Sequence, residues 1–370
     1  MADAAQDADQ ILLVMGTRPE AIKLAGLARA LGERGRVLHT GQHYDREMWG
    51  DVLADLAGVS VAEHVSVGGR SRGEQIGDAT TALTRYLAGH PARAVVVQGD
   101  TNSTLAGALA ASASGVPVVH VEAGLRSHDR RMPEELNRVL TDAVADLCCA
   151  PIEANAAQLR SEGVAGDRIL VTGNTLADAL GVLAATPAES ASALERHGVR
   201  AGEYVLATVH RAGTVDDPDA LAGLVRGFAA LAEHADVLLP LHPRTASRLA
   251  AFGLSDALGR VRRTAPLPPK DFMALEASAG LIVSDSGGVQ EEACLFRRPL
   301  LVVRDSTERP ELLDGWCRLL GDAEPAAAML QAWSDAPGWA ASLAARPLPY
   351  GEGDASARIL AEIDRRWPAA

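Results

Sequence analysis

The stretch Ala94-Val95-Val96-Val97-Gln98-Gly99-Asp100-Thr101-Asn102-Ser103-Thr104 decides the fold class of this 370-residue chain. It opens as an unbroken, valine-rich apolar run, the pattern of a strand buried on both faces of a parallel sheet. Gly99 then permits a close turn, and Asp100, Thr101 and Ser103 offer side-chain oxygens to the unpaired N–H groups that begin a helix. An alanine-rich helical pattern over 103–114 follows, and a second apolar run over 116–121 completes a βαβ unit.

The same alternation extends in both directions. Strands are expected at 11–15, 37–40, 94–98, 116–121 and 169–172, and again at 204–209, 237–241, 280–284 and 299–303. Helical patterns at 21–31, 103–114, 134–144 and 220–234 lie between them, and a helical segment near 176–198 joins the two series. The expected fold class is therefore α/β, with two Rossmann-like doubly wound domains facing each other across a cleft. The first spans residues 1–176, with a C-terminal helix over 355–370 packing back on it; the second spans 177–354. The length agrees, since domains usually run to roughly 100–200 residues. In doubly wound sheets ligands sit beyond the carboxyl ends of the strands, so the loops there are where chemistry is sought.

Composition narrows the class of partner. A formal charge of −13 argues against nonspecific binding to nucleic acid or an anionic membrane, although a local pocket of arginines and N–H groups can still hold an anion. No run of about 18 apolar residues occurs, and residues 1–10 lack the basic start and apolar core of a secretory signal. Cys148, Cys149, Cys294 and Cys317 match neither a zinc site nor a disulfide framework and read as reduced packing thiols. The expectation is a cytoplasmic protein.

Polar motifs gather at the expected strand ends. After the first strand comes Gly16-Thr17-Arg18-Pro19-Glu20-Ala21-Ile22-Lys23, in which Pro19 suits a first helical turn and Arg18 stands where an anion is favoured. The dinucleotide fingerprint G-x-G-x-x-G is absent here, which argues against a nicotinamide enzyme. Asp100 ends the 94–98 strand, Glu122 follows 116–121 in His120-Val121-Glu122-Ala123-Gly124-Leu125-Arg126, and Glu134 begins a helix in Met132-Pro133-Glu134-Glu135-Leu136-Asn137-Arg138. Each acid alone reads as well as a helix cap. Three together exceed what capping requires and suit proton abstraction and donation, because neighbouring acids shift one another's ionisation.

In the second half, His210-Arg211 and His242-Pro243-Arg244 end successive strands and favour anion contacts. Ser284-Asp285-Ser286-Gly287-Gly288-Val289-Gln290-Glu291-Glu292 runs from a strand through a turn rich in free N–H groups into a helix. The helix dipole and those N–H groups suit a diphosphate, and an acid one turn in can accept ribose hydroxyls. Arg304-Asp305-Ser306-Thr307-Glu308-Arg309-Pro310-Glu311 closes a last strand.

Taken in order, GTRPEAIK, QGDTNST, HVEAGLRS, MPEELNR, TGNTLAD, SDSGGVQEE and RDSTERPE resemble the non-hydrolysing UDP-N-acetylglucosamine 2-epimerase family over nearly the whole chain. The resemblance implies a GT-B fold and elimination of UDP to a 2-acetamidoglucal, followed by re-addition with the opposite configuration at C2. It implies Asp100, Glu122 and Glu134 as catalytic carboxylates and His210 as an assistant at the diphosphate or sugar. Arg18, Ser286, Gly287 and Gly288 would hold phosphates, Glu292 the ribose, and Phe272 would lie beside the uracil. Lys23, Arg138 and Arg309 would line the sugar and diphosphate. No metal or cofactor is implied, the partner is a UDP-sugar substrate, and a homodimer is expected.

Two departures stand out. After the His-Arg pair the family has an acidic residue and asparagine, whereas this chain continues Ala212-Gly213-Thr214. Members activated by a second UDP-N-acetylglucosamine carry Gln-His-Arg in the second loop, whereas this chain has Gln42-His43-Tyr44-Asp45, which places it with the branch lacking that activation. That branch includes epimerases of UDP-2,3-diacetamido-glucuronate. A hydrolysing epimerase, a GT-B glycosyltransferase and a UDP-sugar sensor are the alternative readings.

Overall fold

In the computed structural model, residues 9–42 and 60–369 are described, with the side chains of 60–63 left aside. The chain forms two compact units, Met1–Leu183 with Pro349–Ala370, and Ala184–Leu348. His43, Tyr44 and Asp45, on which the activation argument rests, lie outside the described residues.

The first unit holds seven parallel strands: β1 (Ile11–Met15), β2 (Gly35–His39), β3 (Ser60–His64), β4 (Ala94–Gln98), β5 (Val118–Val121), β6 (Leu147–Ala150) and β7 (Ile169–Val171). Their spatial order is β3-β2-β1-β4-β5-β6-β7, so the direction of winding reverses between β1 and β4. Every residue of β1, β4, β5 and β6 is buried, which is why these strands read as continuous apolar runs. The helix Asn102–Ala113 is buried along most of its length, with Ala106, Ala108, Ala110 and Ala111 in the core. Small side chains let it lie close to the sheet.

The helix Ala355–Arg366 packs on Arg18–Leu31 and Thr175–Leu183 of this same unit. Asp178 ties it down by accepting the Ala355 and Ser356 N–H groups at 3.2 and 2.8 Å. Thr175–Leu183, which the alanine-rich pattern assigns to the junction, thus belongs to the first unit because it packs on Arg18–Leu31.

The second unit holds six parallel strands: β8 (Tyr204–Thr208), β9 (Asp236–Pro240), β10 (Arg262–Thr264), β11 (Leu281–Ser284), β12 (Leu300–Val302) and β13 (Cys317–Leu319). The order β10-β9-β8-β11-β12-β13 repeats the doubly wound plan, with its reversal between β8 and β11. Both units are therefore Rossmann-like, and each carries a crevice at a topological switch point where a ligand is expected.

Four strands escape the sequence pattern: β3, β6, β10 and β13. β10 reads Arg-Arg-Thr on the sheet edge and has no apolar run to announce it. β6 is four residues long and follows closely on the helix Pro133–Val144, so its apolar signal merges with the helical one. Among the described residues no helix is long and apolar enough to cross a membrane.

Candidate active site

In the first unit the switch point lies between the loops after β1 and β4. The β1 loop turns at Gly16, where a Cβ atom would fall 1.9 Å from Ser103 Oγ and 2.2 Å from Thr40 Oγ1. Those two hydroxyls are themselves hydrogen-bonded at 2.6 Å, so the loops after β1, β2 and β4 close together only if residue 16 has no side chain. Thr17 and Glu20 then form a capping box, with Pro19 in the first turn of Arg18–Leu31. Glu20 is buried and accepts from Gly16 N–H at 2.9 Å, Thr17 N–H at 2.8 Å and Thr101 Oγ1 at 2.7 Å, tying the β1 loop to the β4 loop. Arg18 is half-buried at the head of this helix.

Lys23, one turn further on, reaches Glu122 Oε2 at 2.5 Å, and Gln98 Nε2 donates to the same oxygen. Glu122 follows β5 with φ of +68°, a left-handed conformation that costs a non-glycine residue about 1 kcal/mol or more. The backbone is held there by its surroundings, and the strained residue is one of the three acids expected to do chemistry.

A buried network underlies both acid-bearing loops. His120 places Nδ1 2.6 Å from Asp142 Oδ1 and Nε2 2.8 Å from the carbonyl of Gly99, the residue before Asp100. Asp142 Oδ2 accepts from Gly124 N–H at 3.2 Å and pairs with Arg126 at 2.7 Å. Burial opposes charge on Asp142, but His120 and Arg126 win and hold its carboxyl below the usual range.

The Asp100 carboxylate is bonded by Arg138, whose Nη1 also pairs with Glu135 at 2.9 Å. Asn137 supports the same loop, donating to the Asp100 carbonyl at 2.9 Å. Glu134 and Arg138 are four residues apart on Pro133–Val144 and so share a helix face. Glu134 is exposed, whereas its neighbour Glu135 is buried and accepts from Ser127 N–H at 2.8 Å and His128 N–H at 2.9 Å. The two adjacent acids thus separate into one free to meet a ligand and one that braces the loop 127–128.

In the second unit the switch point lies between the loops after β8 and β11. Asp285 is wholly buried and binds the loop at 210–211, accepting from His210 N–H at 2.9 Å and Arg211 N–H at 2.8 Å. His210 Nδ1 lies 3.4 Å from Asp285, and its ring tilts against His242 with centroids 5.2 Å apart. Burial lowers the basicity of His210, opposed by Asp285 and helped by His242, Arg211 and Arg244. The ring is therefore favoured neutral near pH 7, able to give or accept a hydrogen bond.

Ser286 caps the helix Gly287–Leu295, which presents the half-buried Gly287 and exposed Gly288 at its N-terminus. A Cβ on Gly287 would meet Arg211 Nη2 at 3.3 Å, so a guanidinium lies over this helix end. Arg211 is steadied by Glu308 at 3.1 Å, and Glu308 is held down to about 2, burial notwithstanding, by Arg304 and Arg211. N–H groups, helix dipole and Arg211 converge on a site suited to an anion. Glu292 stands on the same helix, and Phe272 is half-buried on Pro269–Ser278. Arg309 is buried with Nε 2.8 Å from Glu291, so at least that nitrogen braces the fold.

Glu20, His120, Asn137, Asp142 and Asp285 are the neighbours that motif reading left unassigned. All five stand within the quoted motifs or the helix following them. Only their contacts distinguish a brace from a ligand.

Fold and site together define a two-domain enzyme of GT-B type. The UDP-N-acetylglucosamine 2-epimerase family profile matches residues 29–364. The chain belongs to that family, whose members are isomerases. The UDP-N-acetylglucosamine 2-epimerase of Methanocaldococcus jannaschii is 40% identical over 324 residues, covering 85% of this chain and 88% of that protein. The UDP-2,3-diacetamido-2,3-dideoxy-D-glucuronate 2-epimerase of Pseudomonas aeruginosa is 35% identical over 312 residues, covering 82% and 86%. The crystal structure of the Methanocaldococcus jannaschii enzyme in complex with UDP-GlcNAc and UDP superimposes with a TM-score of 0.80 at 35% identity, over 96% of this chain and 99% of that one.

Proposed function

We propose that this protein interconverts UDP-N-acetylglucosamine and UDP-N-acetylmannosamine without hydrolysis. The observation that carries the reading is the division of labour between the two switch points. One groups acids with cations, Asp100 with Arg138 and Glu122 with Lys23. The other offers a glycine-led helix N-terminus under Arg211.

In this reading Gly287, Gly288, Ser286 and Arg18 hold the diphosphate, Phe272 stands beside the uracil and Glu292 accepts the ribose hydroxyls. A carboxylate among Asp100, Glu122 and Glu134 removes the C2 proton. The freed electron pair forms C1=C2, and the C1–O bond breaks with its pair going to UDP. A second acid then protonates C2 of the 2-acetamidoglucal on the opposite face while UDP re-adds at C1. Lys23 and Arg138 orient two of the acids, Arg309 lines the diphosphate and sugar, and neutral His210 gives a hydrogen bond to the departing phosphate oxygen.

The experiment is NMR of the protein with UDP-N-acetylglucosamine in D2O. Both intact C2 epimers, deuterated at C2, support the reading; free N-acetylmannosamine with UDP would establish hydrolysis instead. The 35% identity to the diacetamido-glucuronate epimerase favours one second reading, a 2-epimerase of that uronate, tested by the same exchange with that substrate. We further assign a cytoplasmic location, supported by four buried free cysteines, and a homodimer, supported by the exposed Leu109 and Leu140 on neighbouring helices. Light scattering at the mass of two chains tests the latter. Asp45, in the sequence Gln42-His43-Tyr44-Asp45, supports hyperbolic kinetics in UDP-N-acetylglucosamine; sigmoidal kinetics would refute it.

A further inference from the structure

Glu276 is the most anomalous side chain in the second unit. It has no exposed surface, and no hydrogen-bond donor reaches either carboxyl oxygen. Its neighbour Tyr204 gives its hydroxyl to the Leu275 carbonyl, and Arg298 interacts with Tyr204. Besides Tyr204, a second acid, Glu292, stands beside Glu276. A carboxylate cannot be kept in such a place without donors, so Glu276 carries a proton, and its O–H needs an acceptor.

Glu276 lies one turn after Phe272 on Pro269–Ser278, and that helix packs on Gly287–Leu295, which carries Glu292. The two helices are those that bear the uracil and ribose contacts of the proposed function. A proton shared from Glu276 to one oxygen of Glu292 would leave the other oxygen as an acceptor of fixed direction.

We infer that Glu276 is a positioning residue, a buried neutral acid whose O–H is donated to Glu292 and aims the Glu292 carboxylate at the ribose hydroxyls of the nucleotide. The inference rests on the reading of Glu292 as the ribose acceptor. Burial and the adjacent Glu292 both push the Glu276 acid well above its usual range, in keeping with a shared proton.

The test is calorimetric binding of UDP and of 2′,3′-dideoxy-UDP to the wild type, Glu276→Gln and Glu276→Met. Gln keeps an N–H donor and should bind UDP within about twofold of wild type, whereas Met should bind it about tenfold more weakly. Neither variant should change affinity for dideoxy-UDP. Equal losses on both ligands in Glu276→Met, or no loss on UDP, would overturn the inference while leaving the Glu292 reading standing. If wild type and Glu292→Gln bind the two ligands alike, the ribose reading itself fails and the inference with it. Because Met replaces a buried neutral acid by an apolar chain of similar length, a folded variant is expected, and Gln supplies the rescue.

Discussion

Glu20 and Thr101, 81 residues apart in the chain, are joined by a 2.7 Å hydrogen bond from the threonine hydroxyl to the buried carboxylate. The same carboxylate takes the N–H groups of Gly16 and Thr17, so one side chain fixes the relation between the loop carrying Arg18 and the loop carrying Asp100.

Glu20→Ala leaves several buried donors unsatisfied and should cost about 3 kcal/mol in urea unfolding. Because it also releases the Asp100 loop, kcat should fall by about tenfold or more in whatever fraction stays folded. An unchanged kcat would mean that the loops keep their relation without this tie.

Glu134→Gln separates chemistry from stability. The residue is exposed on the face of its helix shared with Arg138, so the midpoint of thermal unfolding should barely move, with a change within about 0.5 kcal/mol. Turnover should fall by about a hundredfold or more if Glu134 transfers a proton, and Asp100→Asn should do the same. Near-normal turnover in either variant removes that residue from the mechanism.

Asp142 supplies an acid-sensitive contribution to the first unit. Its ionisation in the fold lies below the usual carboxylate range despite burial, so it stabilises above its ordinary value and that stability is lost as pH falls through the lower folded value. Asp142→Asn should therefore destabilise at pH 7, by about 3 kcal/mol as one partner of a buried charge network, and flatten the acid limb of the unfolding curve. Denaturant titrations from pH 7 to pH 3 check both expectations.

His210 has the opposite chemistry and a sign in the same direction. Its basicity in the fold is below the ordinary 6.5, chiefly through burial, so its contribution is present above that pH and is lost as pH falls through the lower folded value. Between about pH 7 and pH 5 the wild type should lose stability that His210→Gln does not. Parallel curves for the two proteins would show that His210 stays uncharged or charged alike in both states.

Much of this could be read along the chain. The strands at 11–15 and 94–98 coincide with β1 and β4 because a buried parallel strand is announced by its own residues, and the GTRPE and SDSGG turns identify themselves by the chemistry of helix starts. The edge strand Arg262–Thr264 was not legible, since a strand exposed at a sheet edge needs no apolar run.

The sequence by itself determined the alternation of strands and helices and the loops where polar residues collect, because periodicity, turns and caps are properties of neighbouring residues. It did not say that Glu135 braces the loop 127–128, nor that Lys23 meets Glu122, Arg138 meets Asp100 or Asp285 holds His210. Those pairings follow from the strand orders β2-β1-β4-β5 and β9-β8-β11-β12, which bring loops dozens of residues apart to common rims. Strand order is settled by how whole sheets and helices bury their apolar faces, and only tertiary structure decides that.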